Sequence, residues 1–169
     1  MMRWGFHPSW KKTPPDGAPI INARIETAAD KPFFRTAIRR RRCIVPCDGW
    51  YEWAVEGKTR QPFLIRQANG VTLGLGAVWE YWESAEGALE SFAIITRPAR
   101  KELEGVHHRM PLVLPPEHWQ TWLDRETPLE AALDLAVTDF DLSFDLRKVN
   151  AAVGNVRMEG EALAAVLFT

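Results

Sequence analysis

Short, mostly apolar runs bounded by polar turn residues recur along the chain, and this pattern predicts β-strands joined by turns. Such runs occupy residues 20–25, 43–45, 50–54, 62–66, 71–79, 91–96, 112–114, 145–149 and 164–168. Asn69 and Gly70 separate two of these runs and are typical of a hairpin turn. Residues 80–90 are rich in Glu and predict an acidic loop.

Three segments instead carry signals of short helices. Residues 31–41 have an apolar face, with Asp30 as a candidate N-cap and Pro32 suited to a first turn. A second helix is predicted from Pro98 to about residue 104, and a third over residues 116–123. Many short strands with few helices predict an α+β domain built on a curled, mainly antiparallel sheet.

Composition and length fit one globular domain over residues 1–169. The chain is 46% hydrophobic and 25% charged, and no apolar run approaches the roughly 20 residues that a membrane span needs. Its first residues lack the apolar core of a secretion signal, so we expect a cytoplasmic protein. Two cysteines are too few for a disulfide scaffold.

The charges are unevenly distributed. Residues 1–70 carry 13 Lys or Arg against 6 Asp or Glu, whereas residues 71–169 carry 8 against 16. The basic residues 39–42, all arginines, and Trp10 with the two lysines after it suit a nucleic-acid backbone with stackable bases. Two alternatives stay open: the arginines would only complement a helix dipole, and Trp10 would belong to the core.

Several polar residues stand among apolar or aromatic neighbours and are candidates for chemistry. Asn22 and Arg24 share one face of their strand, because side chains alternate. Glu52 lies between Tyr51 and Trp53, where desolvation would raise the pKa of a carboxyl group toward a useful acid or base. The alternative is that Glu52 points outward from an edge strand.

A pair of histidines offers a second titratable site. His107 and His108 lie in a predicted polar turn before Arg109, and a turn histidine can move a proton near neutral pH. Adjacent side chains point opposite ways in an extended turn, so we expect at most one to face a site; both being solvated is the alternative. A zinc site with Cys43 and Cys47 is disfavoured because the ligand spacing departs from usual patterns, and no metal or cofactor is expected.

Taken in order, these segments resemble the SOS response-associated peptidase (SRAP) family. The resemblance spans nearly the whole chain, and its most specific parts are Asn22-Ala23-Arg24, the segment Gly-Trp-Tyr-Glu-Trp at 49–53 and the segment His-His-Arg-Met-Pro at 107–111. Further matching stretches are 2–5, 8–10, 21–27, 41–48, 61–63, 95–96 and 153–156. The resemblance implies a barrel-like α+β core.

It also implies a function. Family members recognise abasic sites in single-stranded DNA and link to them covalently, because the amine and thiol of an amino-terminal cysteine close a thiazolidine on the opened sugar. On this chain the resemblance gives Asn22 the role of orienting that cysteine, Glu52 that of acid/base partner and His107 that of moving protons. Arg24 and Arg109 would hold phosphates, and Trp10 would pack near the DNA.

The amino terminus departs from the family pattern. Family members begin with Met-Cys-Gly-Arg, whereas position 2 is Met here, so we expect a domain truncated at the amino terminus that does not crosslink as written. Cys43 and Cys47 cannot replace the missing residue because their nitrogens are in peptide bonds. Three functions therefore compete: a crosslinking protein of abasic DNA, a single-stranded DNA binder without catalysis, and a thiol autopeptidase.

Overall fold

β-Strands make up most of the regular structure, as the sequence predicts. The structure is a computed structural model, and it describes residues 1–85, 87–155 and 157–164. Its strands are β1 (Arg3–Trp4), β2 (Asn22–Arg24), β3 (Arg42–Cys47), β4 (Trp50–Glu56), β5 (Thr59–Gln67), β6 (Leu73–Ser84), β7 (Gly87–Pro98), β8 (Arg109–Pro111), β9 (Val113–Leu114) and β10 (Phe144–Lys148).

The helices are short. They are α1 (Ile25–Ala28), α2 (Arg35–Arg40), α3 (Trp119–Leu123) and α4 (Leu129–Val137), with 3-10 turns at Pro116–His118, Ala151–Gly154 and Glu161–Ala164. Strands paired mostly in antiparallel fashion with a few short helices confirm the predicted α+β class.

The chain divides into two compact units. The first unit comprises Met1–Pro46, Gly74–Arg97 and Pro111–Phe140; the second comprises Cys47–Leu73, Pro98–Met110 and the chain from Asp141 onward. That the whole chain folds as one domain stays a prediction.

The first unit is organised around the long antiparallel hairpin of β6 and β7, whose register runs from Ala77 opposite Ile94 to Ser84 opposite Gly87. The short strands β1 and β2 pair with β7 in parallel, β9 pairs with β6 in antiparallel fashion, and β3 lies beside β6. One face of this sheet packs against the helices, and the buried side chains form one apolar core. Its members include Phe6, Ile38, Val78, Ile95, Leu112, Leu114 and Trp122.

The second unit is a three-stranded antiparallel sheet in the order β10, β5, β4. Tyr51 lies opposite Leu64 and Glu52 opposite Phe63, whereas Leu146 lies opposite Ile65 on the other side of β5. The Nε2 amide of Gln61 donates to the carbonyl of Val149 at 3.0 Å and so ties the end of β10 to β5. This sheet fixes the position of Glu52.

Four sequence predictions need correction. The turn at Asn69 and Gly70 forms, with φ of +75° at Gly70, but no hairpin results because β5 pairs with β4 and β10, and β6 pairs with β7 and β9. Residues 80–90 are mostly strand rather than loop. The charge of Glu80, 5% exposed, is paired with Arg41, so this part of β6 can be buried.

Two helix predictions were also wrong in extent. The helix expected over 31–41 begins only at Arg35, and Asp30 does not cap it, because residues 31–34 form a turn that directs Phe33 against Trp10 and Phe34 against Phe6. Pro98 ends β7, and residues 101–106 form turns instead of a helix. Most of the strand expected over 164–168 lies outside the described residues, and Ala164 itself is in a 3-10 turn.

Candidate functional site

A carboxylate and an imidazole meet in the second unit. The Oε2 atom of Glu52, on β4, lies 3.9 Å from the Nδ1 atom of His107, and their side chains are 24% and 38% exposed. Both groups are therefore partly screened from water and still open to a ligand. Residues 55 positions apart in the sequence are brought together without any motif that spans them.

Burial changes the acid strength of Glu52. Desolvation raises the pKa of its carboxyl group, and the nearby charge of His107 opposes that shift without cancelling it. The desolvating surroundings are aromatic. Trp50 lies two residues earlier on the same face of β4 and packs edge-on against Phe144 at 5.5 Å, and Phe63 is opposite Glu52 on β5. A carboxyl group with a raised pKa is suited to exchange protons near neutral pH.

The His107 ring has a partner in both of its protonation states. A bare Nδ1 accepts a hydrogen bond from the backbone N–H of Arg109 at 3.2 Å, whereas a protonated Nδ1 donates to the Arg109 carbonyl at 3.1 Å and faces Glu52. The Arg109 backbone therefore satisfies this nitrogen in either tautomer of the ring.

The neighbours of His107 differ from expectation in one respect. The rings of His107 and His108 contact each other, with centroids 4.5 Å apart, so the prediction that these side chains point opposite ways was wrong. The turn at this position brings the two rings to the same side. Arg109 begins β8, and Met110 after it is only 4% exposed, which anchors the partly exposed Arg109 close to the pair.

In the first unit, Asn22 and Arg24 share one exposed face of β2, as predicted. Ala23 between them is 1% exposed, and the strand is held by its pairing with β7. The side-chain amide of Asn22 makes no hydrogen bond within the described part of the chain. A polar amide beside a guanidinium on a fixed strand can therefore bind a ligand without first breaking internal bonds.

Trp10 lies on the surface of the first unit. Its ring is 56% exposed, packs edge-on against Phe33 at 5.5 Å, and has the Lys11 ammonium 5.8 Å from its centroid. The loop is tied down because the indole N–H of Trp82 donates to the Lys11 carbonyl at 2.7 Å. The core-packing alternative for Trp10 is therefore wrong, and a fixed, exposed ring beside a cation suits stacking on a base.

The structure brings together Glu52, His107 and Arg109 in the second unit, and Asn22, Arg24 and Trp10 belong to the first. Convergence of the two groups on one site stays a prediction. Sequence reasoning missed Phe33 and Trp82, which support Trp10 and its loop. The aromatic pair Phe33 and Phe34 is the signal for this contact in the sequence, but the helix predicted over 31–41 places both on its apolar face.

The two cysteines are poor nucleophiles. Burial raises the pKa of Cys43 to about 12, and burial also raises the pKa of Cys47. Within residues 1–85, 87–155 and 157–164, no group of three or more His, Cys, Asp or Glu side chains is arranged to hold a metal ion. None of the helices described is both long and apolar enough to cross a membrane.

Comparisons with known proteins agree on one family. The family model described as SOS response associated peptidase (SRAP) matches residues 1–156. The chain is 37% identical to the abasic site processing protein YedK of Escherichia coli, over 95% of this chain and 71% of that protein. It is also 37% identical to the abasic site processing protein YoqW of Bacillus subtilis, over 73% of this chain and 56% of that one.

The fold agrees with these sequence relationships. A crystal structure of a protein from Bacteroides thetaiotaomicron superposes with a TM-score of 0.87 over 99% of this chain and 76% of that one, at 23% identity. At this identity the likeness concerns the fold alone. Because the family model covers most of the chain and the E. coli relative is well matched along it, this chain belongs to the SOS response associated peptidase (SRAP) family.

Proposed function

We propose that this protein recognises abasic sites in single-stranded DNA, with Glu52 and His107 as the groups that transfer protons at the opened sugar. The observation that carries the proposal is their approach to 3.9 Å, with a carboxyl group whose pKa is raised by desolvation. The names of the E. coli and B. subtilis relatives, which process abasic sites, supply the class of substrate.

An abasic sugar needs the kind of chemistry that this pair can perform. Its closed form opens to an aldehyde when one oxygen loses a proton and the ring oxygen gains one, and an amine that attacks the aldehyde must lose protons and release water. A carboxyl group and an imidazole that lie close together can serve as proton donor and acceptor in turn. The reaction needs both a proton donor and a proton acceptor, and two neighbouring titratable groups can fill these two roles.

Cations and an exposed aromatic ring support binding of a strand. Arg109 lies two residues from His107, Arg24 is exposed on β2, and Trp10 presents its ring beside Lys11. Guanidinium groups pair with phosphates, and an unpaired base can stack on an exposed indole. Stacking requires bases that are not already paired, and this favours single-stranded over duplex DNA.

Covalent linkage is a separate step with a separate requirement. A thiazolidine forms when an amine and a thiol of one residue both add to the same aldehyde carbon with loss of one water. In this chain both thiols belong to internal residues with amide nitrogens, and burial raises the pKa of each thiol. We therefore propose that neither Cys43 nor Cys47 forms the linkage, which needs an amino-terminal cysteine.

Fluorescence anisotropy tests the binding step. The protein is titrated with a labelled single strand that carries one abasic site, with the same strand intact, and with the intact duplex. We expect the tightest binding for the abasic strand and a log–log dependence of affinity on salt. The variant Arg109→Gln should lower the magnitude of that slope by about 0.7, the value for one phosphate contact on a single strand.

A denaturing gel of the same mixtures tests the covalent step. We expect the variant with Cys43→Ser and Cys47→Ser to give the same bands with the abasic strand as the parent. A denaturation-resistant band that disappears in this variant would overturn this part of the proposal. Equal affinity for abasic and intact strands would overturn the proposed recognition of abasic sites.

A further inference from the structure

A concave surface lies in the first unit, and the proposed function does not use the residues that line it. It is a pocket of about 750 Å³, a size typical of small-molecule sites. Its two walls are the end of α2 with the start of β3, and the loop that follows α3. The side chains that matter for its chemistry are Arg39, Arg40, Arg41, Trp79, Arg125 and Glu126.

The pocket is positively charged. Arg41 is paired with Glu80 at 2.7 Å, and Arg39 is held by hydrogen bonds to backbone carbonyls, which do not neutralise its charge. Arg40 and Arg125 are exposed, and neither forms an ion pair within the described residues. Among the lining residues described, Glu126 is the one carboxylate. Guanidinium groups outnumber it, so an anion is attracted to this surface.

The walls are held in place by a buried guanidinium. Arg42, 6% exposed, donates hydrogen bonds to backbone carbonyls of both walls. These are the carbonyls of Ile38 and Arg39 at the end of α2 and those of Trp122, Asp124 and Thr127 in and after α3. Arg42 thus fixes the spacing between Arg40 and Arg125. It also occupies carbonyl oxygens that would otherwise repel an anion.

One lining residue is aromatic. Trp79 is partly exposed on β6, and its backbone N–H donates to the Arg41 carbonyl at 2.9 Å, which fixes the residue beside the arginines. Guanidinium groups bind phosphates, and an indole can stack on a base, so the lining suits both parts of a nucleotide. We propose that this pocket binds a nucleotide unit, with its phosphate on Arg40 and Arg125 and its base against Trp79.

The unit has two possible sources with the same chemistry, a free nucleoside monophosphate or one position of a single strand. Neither source involves Glu52 or His107, so the inference does not rest on the proposed proton transfer. It can fail while that function holds, and the reverse is also true.

The test uses a charge-matched pair of double variants. Arg40→Gln with Arg125→Gln removes the two unpaired pocket cations. Arg35→Gln with Arg60→Gln removes the same charge from exposed sites that do not line the pocket. Circular dichroism verifies that both proteins fold. One probe is a labelled oligothymidylate without abasic sites, measured by anisotropy over a salt series, and the other is thymidine monophosphate, measured by calorimetry.

For a strand in the pocket, the pocket variant should reduce the magnitude of the salt slope by about 1.4, the value for two lost phosphate contacts. This corresponds to about a sevenfold smaller change in affinity over a fourfold rise in salt. For a free nucleotide, the pocket variant should lose the calorimetric signal that the parent gives. In the measurement that shows a loss for the pocket variant, the charge-matched control should bind as the parent does.

Either response supports the pocket and identifies its source. The inference is overturned if neither probe distinguishes the pocket variant from the parent, or if the control loses as much binding as the pocket variant. The ratio of affinities for abasic and intact strands reports on the proposed function separately, and the pocket variant should leave that ratio unchanged.

Discussion

Arg42 is the residue whose replacement should most disturb the first unit. The variant Arg42→Met keeps an unbranched side chain of similar length and removes the guanidinium. Five hydrogen bonds to backbone carbonyls disappear with it, and three of them are 2.7, 2.9 and 3.2 Å long. The indole N–H of the fully buried Trp122 donates to the Cys43 carbonyl, and the variant keeps this hydrogen bond in the neighbouring core.

The expected loss of stability follows from two opposing effects. Each buried carbonyl left without a donor costs about 1–3 kcal/mol, and hydrogen bonds from a charged donor lie at the upper end. Against this, burial lowers the pKa of Arg42, which shows that desolvating its charge is unfavourable, and the variant avoids that cost. The balance is a loss of about 3–5 kcal/mol, because several carbonyls lose a charged donor at once.

Thermal melting followed by circular dichroism measures this loss. For a chain of this length it corresponds to a decrease in Tm of about 6–20 °C. Arg40→Gln, which alters an exposed arginine two residues away, is the control and should change Tm little. A decrease for Arg42→Met no larger than that of the control would refute the role assigned to the guanidinium.

Three further outcomes are expected. The pKa of Glu52 is higher in the folded than in the unfolded protein, so its contribution to stability falls as pH rises between those two values. Gln does not ionise, so the Tm of Glu52→Gln should rise relative to that of the parent between about pH 4 and pH 7. A Cβ on Gly74 would lie 2.5 Å from the Trp119 indole, so Gly74→Ala should cost about 1–3 kcal/mol in urea denaturation, whereas Gly105→Ala, with open space around it, should cost little. Trp10→Ala should weaken binding of an intact single strand by about 1–3 kcal/mol in anisotropy titrations, and an unchanged affinity would exclude stacking on this ring.

Local pattern was sufficient to predict the strands that carry the site. The run at residues 50–54 predicts β4, and the spacing of two between Asn22 and Arg24 predicts that they share a face of their strand; the structure confirms both. The second prediction succeeds because side chains alternate between the two faces of a strand. The pairing of strands was less accessible, since the turn at Asn69 and Gly70 does not determine which strands its neighbours join.

The contacts that define the site depend on residues far apart in the sequence. Nothing in the segment around His107 indicates that Glu52 lies within 3.9 Å of it. The sequence indicates a basic patch at residues 39–42, yet its four arginines differ: Arg42 is buried, Arg41 is paired with Glu80, and Arg39 and Arg40 are exposed. Charge alone does not separate these cases, because burial is decided by which carbonyls and carboxylates the rest of the chain supplies.

The most direct test of the central claim is a double-mutant cycle on the rate of covalent linkage. The chain is extended with the amino-terminal segment of a family member that supplies Met-Cys-Gly-Arg, and linkage to an abasic single strand is measured in single turnover. We predict that Glu52→Gln and His107→Gln each slow linkage by about 10²–10⁴-fold and that the double variant is hardly slower than the slower single variant, because the two groups act as a unit. Affinity for the strand should change little. Multiplicative effects of the two substitutions, or full activity in either single variant, would contradict a shared role in proton transfer.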